Sequence, residues 1–203
     1  MKKRNLYLNQ LINFKDKPFI KVITGIRRCG KSSLLTLFEE HLFSEGVKAD
    51  HIIRINFEAI EFDTIRTYKN LHTFVKSKMT SNKEKHYLLL DEIQQVVSWE
   101  KAVNSFLVDS NVDIYLTGSN AYLLSSELST LLSGRYVEIK MQPLSFKEYL
   151  DFIESYSPNN LNALFEDYLE YGGLPTVIEL KDHPDTIGPF LTCLLYTSDA
   201  ADE

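Results

Sequence analysis

The stretch GIRRCGKSS, residues 25–33, lies directly between the apolar run FIKVIT and the segment LLTLFEEHL. Its first eight residues satisfy the pattern G-x-x-x-x-G-K-[ST], in which glycines let successive backbone N–H groups turn toward a phosphate. A helix that begins near the lysine adds the positive end of its dipole. The order of strand, loop and helix therefore predicts a phosphate-binding loop rather than an ordinary surface turn.

Each position of the predicted loop has an expected task. Lys31 would reach the β- and γ-phosphates of a nucleotide, and Ser32 would place its hydroxyl on Mg²⁺. Cys29, beside two arginines at a helix N-terminus, has the surroundings of an acidified thiol, but a spacer that contributes its backbone N–H is the favoured interpretation. The residues expected to bind the nucleotide are Gly25, Arg27, Arg28, Cys29, Gly30, Lys31, Ser32 and Ser33.

An acidic pair ends the apolar run of HYLLLDEIQ, residues 86–94. Asp91 would orient a metal-bound water, and Glu92 would polarise the water that attacks the nucleotide. A nucleotide kinase needs no base for water, whereas a hydrolase does. Acidic residues also cap helices, but their pairing with a phosphate loop favours a catalytic site. Ser32 and Asp91 are therefore the predicted metal site, and Glu92 is the predicted catalytic residue.

Two further segments carry candidate catalytic side chains. VDIYLTGSN, residues 112–120, ends with Thr117, Ser119 and Asn120, any of which is able to hydrogen-bond the attacking water or the γ-phosphate, although GSN is also ordinary turn chemistry. LLSGRYVEIK, residues 131–140, places Arg135 between a helix and a strand. There it would act on the γ-phosphate of a neighbouring subunit, or form a surface salt bridge; spacing favours neither.

Short apolar runs alternate with segments of helical period along the first 141 residues. The runs cover residues 19–24, 51–57, 87–90, 112–117 and 136–141, and the helical segments cover residues 32–43, 65–79, 99–108 and 122–132. Runs such as YLLL lack polar alternation, which is typical of parallel strands covered on both faces. The pattern predicts an α/β fold in which helices cover both faces of a parallel sheet.

The alternation gives way to consecutive helical segments after residue 141. We therefore expect a domain boundary between residues 141 and 142, with a first domain in residues 1–141, a helical segment in residues 142–192 and a helix stop at Gly172 and Gly173. The last eleven residues, CLLYTSDAADE, resemble a translated sequencing adaptor, because CTC TTA TAC ACA TCT encodes LLYTS. Residues 193–203 are expected to be a non-native tail, and the natural protein is expected to continue past Thr192.

Composition limits the class of protein. Of the 203 residues, 44% are hydrophobic and 25% are charged, which are ordinary globular values. No apolar run approaches the ~18 residues that span a bilayer, so no membrane association is expected. The two cysteines give no disulfide framework, which favours the cytoplasm. The formal charge of -6 argues against a broad nucleic-acid-binding face.

The order of these motifs resembles the AAA+ ATPases, specifically a small prokaryotic branch with a G-x-R-R-x-G-K-[ST] loop and a C-terminal domain of unknown function. The resemblance covers residues 2 to about 180 and rests on GIRRCGKSS, LLLDEIQ, LTGSN, LLSGRY, PLSFKEYL and YGGLP. It implies a three-layer αβα P-loop NTPase core with a five-stranded parallel sheet in residues 1–141, followed by part of a helical lid in residues 142–192. It also implies ATP and Mg²⁺ at the loop, Glu92 as the catalytic residue, Ser119 as the sensor and Arg135 as a finger acting in a homo-oligomer. The C-terminal domain of that branch is expected to lie beyond Thr192.

Three functions are compatible with these motifs. The leading hypothesis is an ATPase that converts ATP binding and hydrolysis into domain movement on an unknown protein or nucleic-acid target. The second is a slow nucleotide-dependent switch, which holds ATP or ADP and recruits a partner with little turnover. The third, a small-molecule kinase, is disfavoured because no arginine-rich lid is visible and the acidic pair includes a base for water.

Overall fold

The computed structural model describes residues 2–79, 84–109, 111–118, 132, 134–153 and 156–199. Their contacts divide the chain into two compact units. One unit contains the described parts of Lys3–Thr24 and Lys31–Lys140, and the other contains Lys2, Gly25–Gly30 and the described part of Met141–Glu203.

A five-stranded parallel sheet forms the centre of the first unit. Its strands are β1 (Ile20–Gly25), β2 (Ile52–Asn56), β3 (His86–Asp91), β4 (Val112–Thr117) and β5 (Tyr136–Met141), in the order β2-β3-β4-β1-β5. Every residue of β1 and β3 is buried, as their unbroken apolar runs predict. The parallel pairing of β2 with β3, β3 with β4 and β4 with β1 brings the carboxyl ends of these strands to one edge.

Helices cover both faces of this sheet. They are α1 (Asn5–Asn13), α2 (Lys31–Ser44), α3 (Tyr68–Lys78) and α4 (Trp99–Asp109), with 3-10 turns at Ala49–His51, Ile60–Phe62 and Ile93–Gln95. The ring centroid of Phe38 in α2 lies 4.3 Å from that of Tyr115. Ile114 and Leu116, the neighbours of Tyr115, belong instead to the buried cluster of α3 and α4. Because successive strand residues point to opposite faces, the predicted three-layer αβα architecture is confirmed.

A buried polar network joins β1 to β4 at the amino edge of the sheet. The Lys21 ammonium forms an ion pair with Asp113, and both side chains are almost fully buried. Tyr115 donates a hydrogen bond of 2.9 Å to the second oxygen of Asp113, and the backbone N–H of Asp16 donates one of 2.7 Å. Burial lowers the pKa of Lys21, against the opposing effect of Asp113, and raises the pKa of the Tyr115 hydroxyl.

The second unit is helical beyond β5. Its helices are α5 (Phe146–Phe152), α6 (Leu161–Tyr171), α7 (Pro175–Glu179) and α8 (Ile187–Asp199), with 3-10 turns at Pro158–Asn160 and Pro184–Thr186. Ser145 and Glu148 form a capping box at the start of α5. Helix α6 ends at Gly172, and a Cβ at Gly173 would lie 2.2 Å from the carbonyl oxygen of Leu144. The predicted helix stop therefore coincides with a place where only glycine fits.

Most predicted elements are present, with one shifted boundary. All five strands agree with the predicted ranges to within one residue. The helix predicted from residue 65 begins at Tyr68, because the backbones of Arg66 and Tyr68 hydrogen-bond to Val97 and Thr67 is the N-cap. The helix predicted at 122–132 lies outside the described residues except for Leu132. Helices α1, α7 and α8 have no counterpart among the predicted elements.

Candidate nucleotide-binding site

The loop that joins β1 to α2 turns on residues with positive φ. Gly25 has a φ of 151°, Arg28 of 64° and Gly30 of 99°. A Cβ at Gly25 would lie 2.6 Å from the carbonyl oxygen of Met141 and 2.7 Å from the Cys29 sulfur. Alternating backbone handedness of this kind directs N–H groups to one side, the arrangement that binds anions.

The side chains of this loop differ in exposure. Cys29 is fully buried, whereas Arg27 and Arg28 are exposed. The guanidinium of Arg28 lies 5.0 Å from the ring centroid of Phe190 in α8, within the range of a cation–π contact. Burial of the Cys29 thiol supports the interpretation of that residue as a spacer, since a reactive thiol needs access to solvent.

The first turn of α2 places two predicted side chains beside the end of β3. Lys31 is only 4% exposed, and its Nζ lies 4.0 Å from Oε1 of Glu92. The Ser32 hydroxyl donates a hydrogen bond of 3.1 Å to Oδ1 of Asp91. Ser33, the next residue, is exposed. The structure therefore brings Lys31 and Ser32 to the acidic pair, as the spacing of the motifs requires.

Arg54 on β2 ties this helix start to the sheet. Its guanidinium donates to the Glu39 carboxylate at 2.6 Å, to the Thr36 hydroxyl at 2.8 Å and to the Ser32 carbonyl at 3.5 Å. The last of these distances is at the long limit of a hydrogen bond. The first three turns of α2 are thus attached to β2 through a side chain that the motifs do not include.

The acidic pair is held by the end of β4. Asp91 is almost fully buried, and its Oδ1 accepts a hydrogen bond from the Thr117 hydroxyl as well as from Ser32. The Thr117 oxygen in turn accepts a hydrogen bond of 2.9 Å from the backbone N–H of Glu92. One hydroxyl on a neighbouring strand therefore fixes both the side chain of Asp91 and the backbone of Glu92.

Glu92 has an unusual backbone conformation and a side-chain partner that the motifs do not predict. Its φ of 58° and ψ of 50° lie in the left-handed region, which non-glycine residues adopt rarely. The Gln94 amide nitrogen donates a hydrogen bond to Oε2 of Glu92. The sequence motifs assign no role to Gln94, although its position two residues beyond Glu92 in DEIQ places it within reach.

The remaining predicted catalytic residues fall into two groups. Ser119 and Asn120 lie outside the described residues, and Thr117 is fully buried against the acidic pair. Arg135 is exposed; its backbone pairs with Ile20 and Leu132. Within the described ranges, no hydrogen bond or ion pair engages its guanidinium, and no contact joins it to Glu92. The structure therefore does not bring Arg135 into the site of its own chain.

The oxygen atoms at the start of α2 and the end of β3 suit a magnesium ion. Mg²⁺ takes hard oxygen ligands and commonly uses one or two protein groups together with substrate phosphates. The Ser32 hydroxyl and the Asp91 carboxylate, whose oxygens are 3.1 Å apart, are such groups. In the part of the chain that the structure describes, no cluster of three His, Cys, Asp or Glu side chains is placed to hold a metal by itself.

A glycine-framed loop follows β1, and the helix after that loop begins beside an acidic strand end. This arrangement defines the P-loop nucleoside triphosphatase class. This chain belongs to the family described as AAA domain, whose profile matches residues 17–150. Membership makes it an AAA-type nucleotide-binding domain.

Two relatives share this sequence over most of the chain. An uncharacterized protein of Haemophilus influenzae is 48% identical over 182 residues, which is 89% of this chain and 45% of the relative. An uncharacterized protein of Methanocaldococcus jannaschii is 33% identical over 189 residues, which is 89% of this chain and 41% of the relative. The chain therefore spans less than half the length of either relative.

Solved structures share the fold. The Walker-type ATPase of Pyrococcus abyssi has a TM-score of 0.61 and 18% identity, over 99% of this chain and 73% of that protein. AMPPCP-bound DnaA from Aquifex aeolicus has a TM-score of 0.51 and 13% identity, over 87% of this chain and 57% of that protein. Among the residues described here, no helix has the length and apolar character needed to cross a membrane.

Proposed function

We propose that this chain binds ATP with Mg²⁺ at residues 25–33, hydrolyses the ATP at Glu92 and changes conformation with the state of the nucleotide. The observation that carries the proposal is the hydrogen-bonded series Ser32, Asp91, Thr117 and Glu92, which joins the helix after the loop to the two acidic residues. A lysine at 4.0 Å from the Glu92 carboxylate completes the arrangement. AMPPCP, an ATP analogue, bound to the structural neighbour DnaA is compatible with this proposal.

The binding roles follow from charge and position. The positive N-terminal end of α2 and the backbone N–H groups of residues 25–33 would face the phosphates. Lys31 would neutralise the β- and γ-phosphates, because its ammonium is the buried cation at the start of the helix. Ser32 and Asp91 would hold Mg²⁺, which supplies charge neutralisation between the phosphates when bound.

Glu92 is the candidate base for hydrolysis. Its carboxylate would accept a proton from water as the water oxygen bonds to the γ-phosphorus. The bond between that phosphorus and the bridging oxygen of ADP breaks, which releases ADP and inorganic phosphate. The Glu92 side chain is 16% exposed, so it is reachable by water yet held by protein groups.

The wider protein is part of this proposal. This chain spans 45% and 41% of the length of its two relatives. The target is therefore proposed to be a protein or nucleic acid, not yet identified, that other segments of the full-length protein bind. Residues 1–141 would be the ATPase core, residues 142–192 the start of a lid and residues 193–203 a non-native tail. Arg135 would act on a neighbouring copy in a cytoplasmic homo-oligomer, and Ser119 would contact the γ-phosphate.

Replacing the proposed base tests hydrolysis directly. In the Glu92→Gln variant we expect ATP affinity within about threefold of the parent and a fall in phosphate release of at least ~10²-fold, since proton transfer typically contributes 10²–10⁴-fold. ATP binding is measured by calorimetry, and phosphate release by a continuous assay with and without Mg²⁺.

The matched control is Glu40→Gln on the exposed side of α2, which removes the same charge away from the site. Its phosphate release should equal that of the parent. Equal rates of phosphate release from Glu92→Gln and the parent would contradict a catalytic role for Glu92. If phosphate release does not change when Mg²⁺ is chelated, the proposed dependence of hydrolysis on Mg²⁺ is wrong.

A slow switch is the second candidate, and the exposed Arg135 favours it. Within the described residues the site of one chain contains no arginine contact to Glu92, and an arginine finger is typically worth ~10³–10⁵ in rate. A chain that stays monomeric would therefore hold ATP with little turnover. Turnover that is negligible at every protein concentration, together with different partner binding in ATP and ADP, would support the switch.

A further inference from the structure

Gln94 lies on a rigid turn directly after the acidic pair. The 3-10 turn Ile93–Gln95 follows β3, and the flanking side chains of Ile93 and Val96 are almost completely buried. The backbone N–H of Val96 donates to the Ile93 carbonyl at 3.0 Å, and that of Gln95 donates to the Glu92 carbonyl at 3.2 Å. The backbone at Gln94 is thus fixed by buried side chains on both sides.

The Glu92 carboxylate is held at both oxygens. Oε2 accepts a hydrogen bond from the Gln94 amide nitrogen, and Oε1 faces the Lys31 ammonium at 4.0 Å. A carboxylate with a single contact is able to rotate about its terminal torsion, which is broad in the absence of partners. The Gln94 contact therefore limits the direction in which the remaining lone pairs of Glu92 point.

The other end of the same amide is a buried acceptor. Oε1 of Gln94 is inaccessible to solvent and accepts no hydrogen bond from the residues that the structure describes. A buried carbonyl oxygen without a donor is unfavourable by about 1–3 kcal/mol. The amide keeps this unfavourable orientation, in which its nitrogen faces Glu92 and its oxygen lacks a donor, as expected where an amide is held for a functional contact.

We propose that Gln94 is a positioning residue for the hydrolysis assigned to Glu92, and this inference rests on that proposed function. The amide N–H holds Oε2 of the Glu92 carboxylate, so that Oε1 points toward the position of the attacking water. Oε1 then accepts one hydrogen of the water while a lone pair of the water oxygen attacks the γ-phosphorus.

Two substitutions separate this role from packing. Gln94→Met keeps the length of the side chain and removes both polar atoms, and Gln94→Glu keeps the shape but replaces the donor by a charge that repels Glu92. We expect phosphate release to fall about 10- to 100-fold in Gln94→Met, the loss expected for a misplaced reacting group, and further in Gln94→Glu. Affinity for Mg-ADP should stay within about twofold of the parent.

A second measurement does not depend on turnover. Mg-ADP with aluminium fluoride mimics the γ-phosphoryl group together with the attacking water. We expect its affinity to fall about tenfold in Gln94→Met, while the melting temperature stays within a few degrees of the parent. Gln95→Met is the matched control, because Gln95 lies on the same turn with an exposed side chain. In Gln95→Met, the affinity for Mg-ADP, the affinity for Mg-ADP with aluminium fluoride and the rate of phosphate release should all equal those of the parent.

The outcomes distinguish the inference from the proposed function. Parental phosphate release and parental aluminium fluoride affinity in Gln94→Met would overturn the role of Gln94 and leave Glu92 untouched. Equal losses in Gln94→Met and Gln95→Met would also overturn it, since the effect would then belong to the turn. Absence of Mg-dependent phosphate release from the parent would overturn the proposed function and, with it, the role of Gln94.

Discussion

Thr117 is the residue on which the acidic pair depends. Its hydroxyl donates to Asp91 and accepts from the backbone N–H of Glu92, so a single oxygen spans β3 and β4. The left-handed conformation of Glu92 places strain at the same point. Strain of this kind persists only where surrounding contacts compensate for it, and the Thr117 contact is one of them.

Removing that hydroxyl should affect activity more than folding. Thr117→Val keeps the volume but leaves the Glu92 N–H without its acceptor, which is unfavourable by about 1–3 kcal/mol. We expect phosphate release to fall about 10- to 100-fold, because the base and the metal ligand both lose their anchor. Steady-state kinetics and thermal unfolding measure the two effects.

Thr117→Ser is the control, since it keeps the oxygen and removes only a methyl group. Its rate should lie within about threefold of the parent. A Thr117→Val variant as active as Thr117→Ser would show that the hydroxyl is not needed.

At the scale of elements, different polar contacts connect the strands at their carboxyl ends and at their amino ends. The carboxyl edge carries the series from Ser32 to Glu92, and the amino edge carries the ion pair of Lys21 with Asp113. The ion pair lies among buried groups. It is a structural connection between β1 and β4, and the desolvation that lowers the pKa of Lys21 makes the loss of one partner costly.

The Asp113→Ala variant should be strongly destabilised. It leaves a buried ammonium without its counter-ion, for which the loss of unfolding free energy is typically about 3–5 kcal/mol. The double variant Lys21→Met with Asp113→Leu removes both charges, so we expect it to recover most of that loss. Denaturant unfolding of the two variants measures the difference, and equal stability of the two would contradict a paired, buried charge.

The elements differ in how well sequence predicts them. Strands β1 and β3 are continuous apolar runs, and their ranges follow from local sequence to within one residue. The start of α3 does not, because Tyr68 bonds to the Val97 carbonyl 29 positions away along the chain. A boundary set by a long-range backbone pair leaves no local pattern, which is why the predicted helix began three residues early.

The candidate site was predictable in its composition and not in its connections. The P-loop pattern and the acidic strand end indicated Lys31, Ser32, Asp91 and Glu92, and the structure brings these four together. The double contact of Thr117 and the amide of Gln94 depend on which strand lies beside which, and on a left-handed backbone at Glu92. Neither is encoded in the spacing of residues. Their catalytic roles remain predictions.

At the scale of the whole molecule, the exposed Arg135 predicts dependence on a second copy. We expect Arg135→Ala to bind ATP like the parent and to release phosphate at least ~10³-fold more slowly, the lower end of the effect of an arginine finger. Mixing it with Glu92→Gln tests action between copies. A mixed assembly contains sites with an intact Glu92 from one chain and an intact Arg135 from the other.

Phosphate release should therefore recover in the mixture, above the sum of the two variants alone. Lys140→Ala, an exposed cation on the following strand, serves as the control and should leave the rate unchanged. Parental turnover of Arg135→Ala at every protein concentration would contradict the finger. A mixture that recovers nothing would place any effect of Arg135 within its own chain.

The burial of Cys29 inside the phosphate loop means that the reactivity of its thiol measures how often the loop opens. Thiol reagents reach only accessible sulfur atoms, so the exposed Cys193 is alkylated first and Cys29 only when the loop opens. The rate of the slow phase of alkylation then depends on how often the loop opens. A nucleotide seated on that loop would lengthen this phase, and the mass of the labelled peptide identifies which sulfur has reacted.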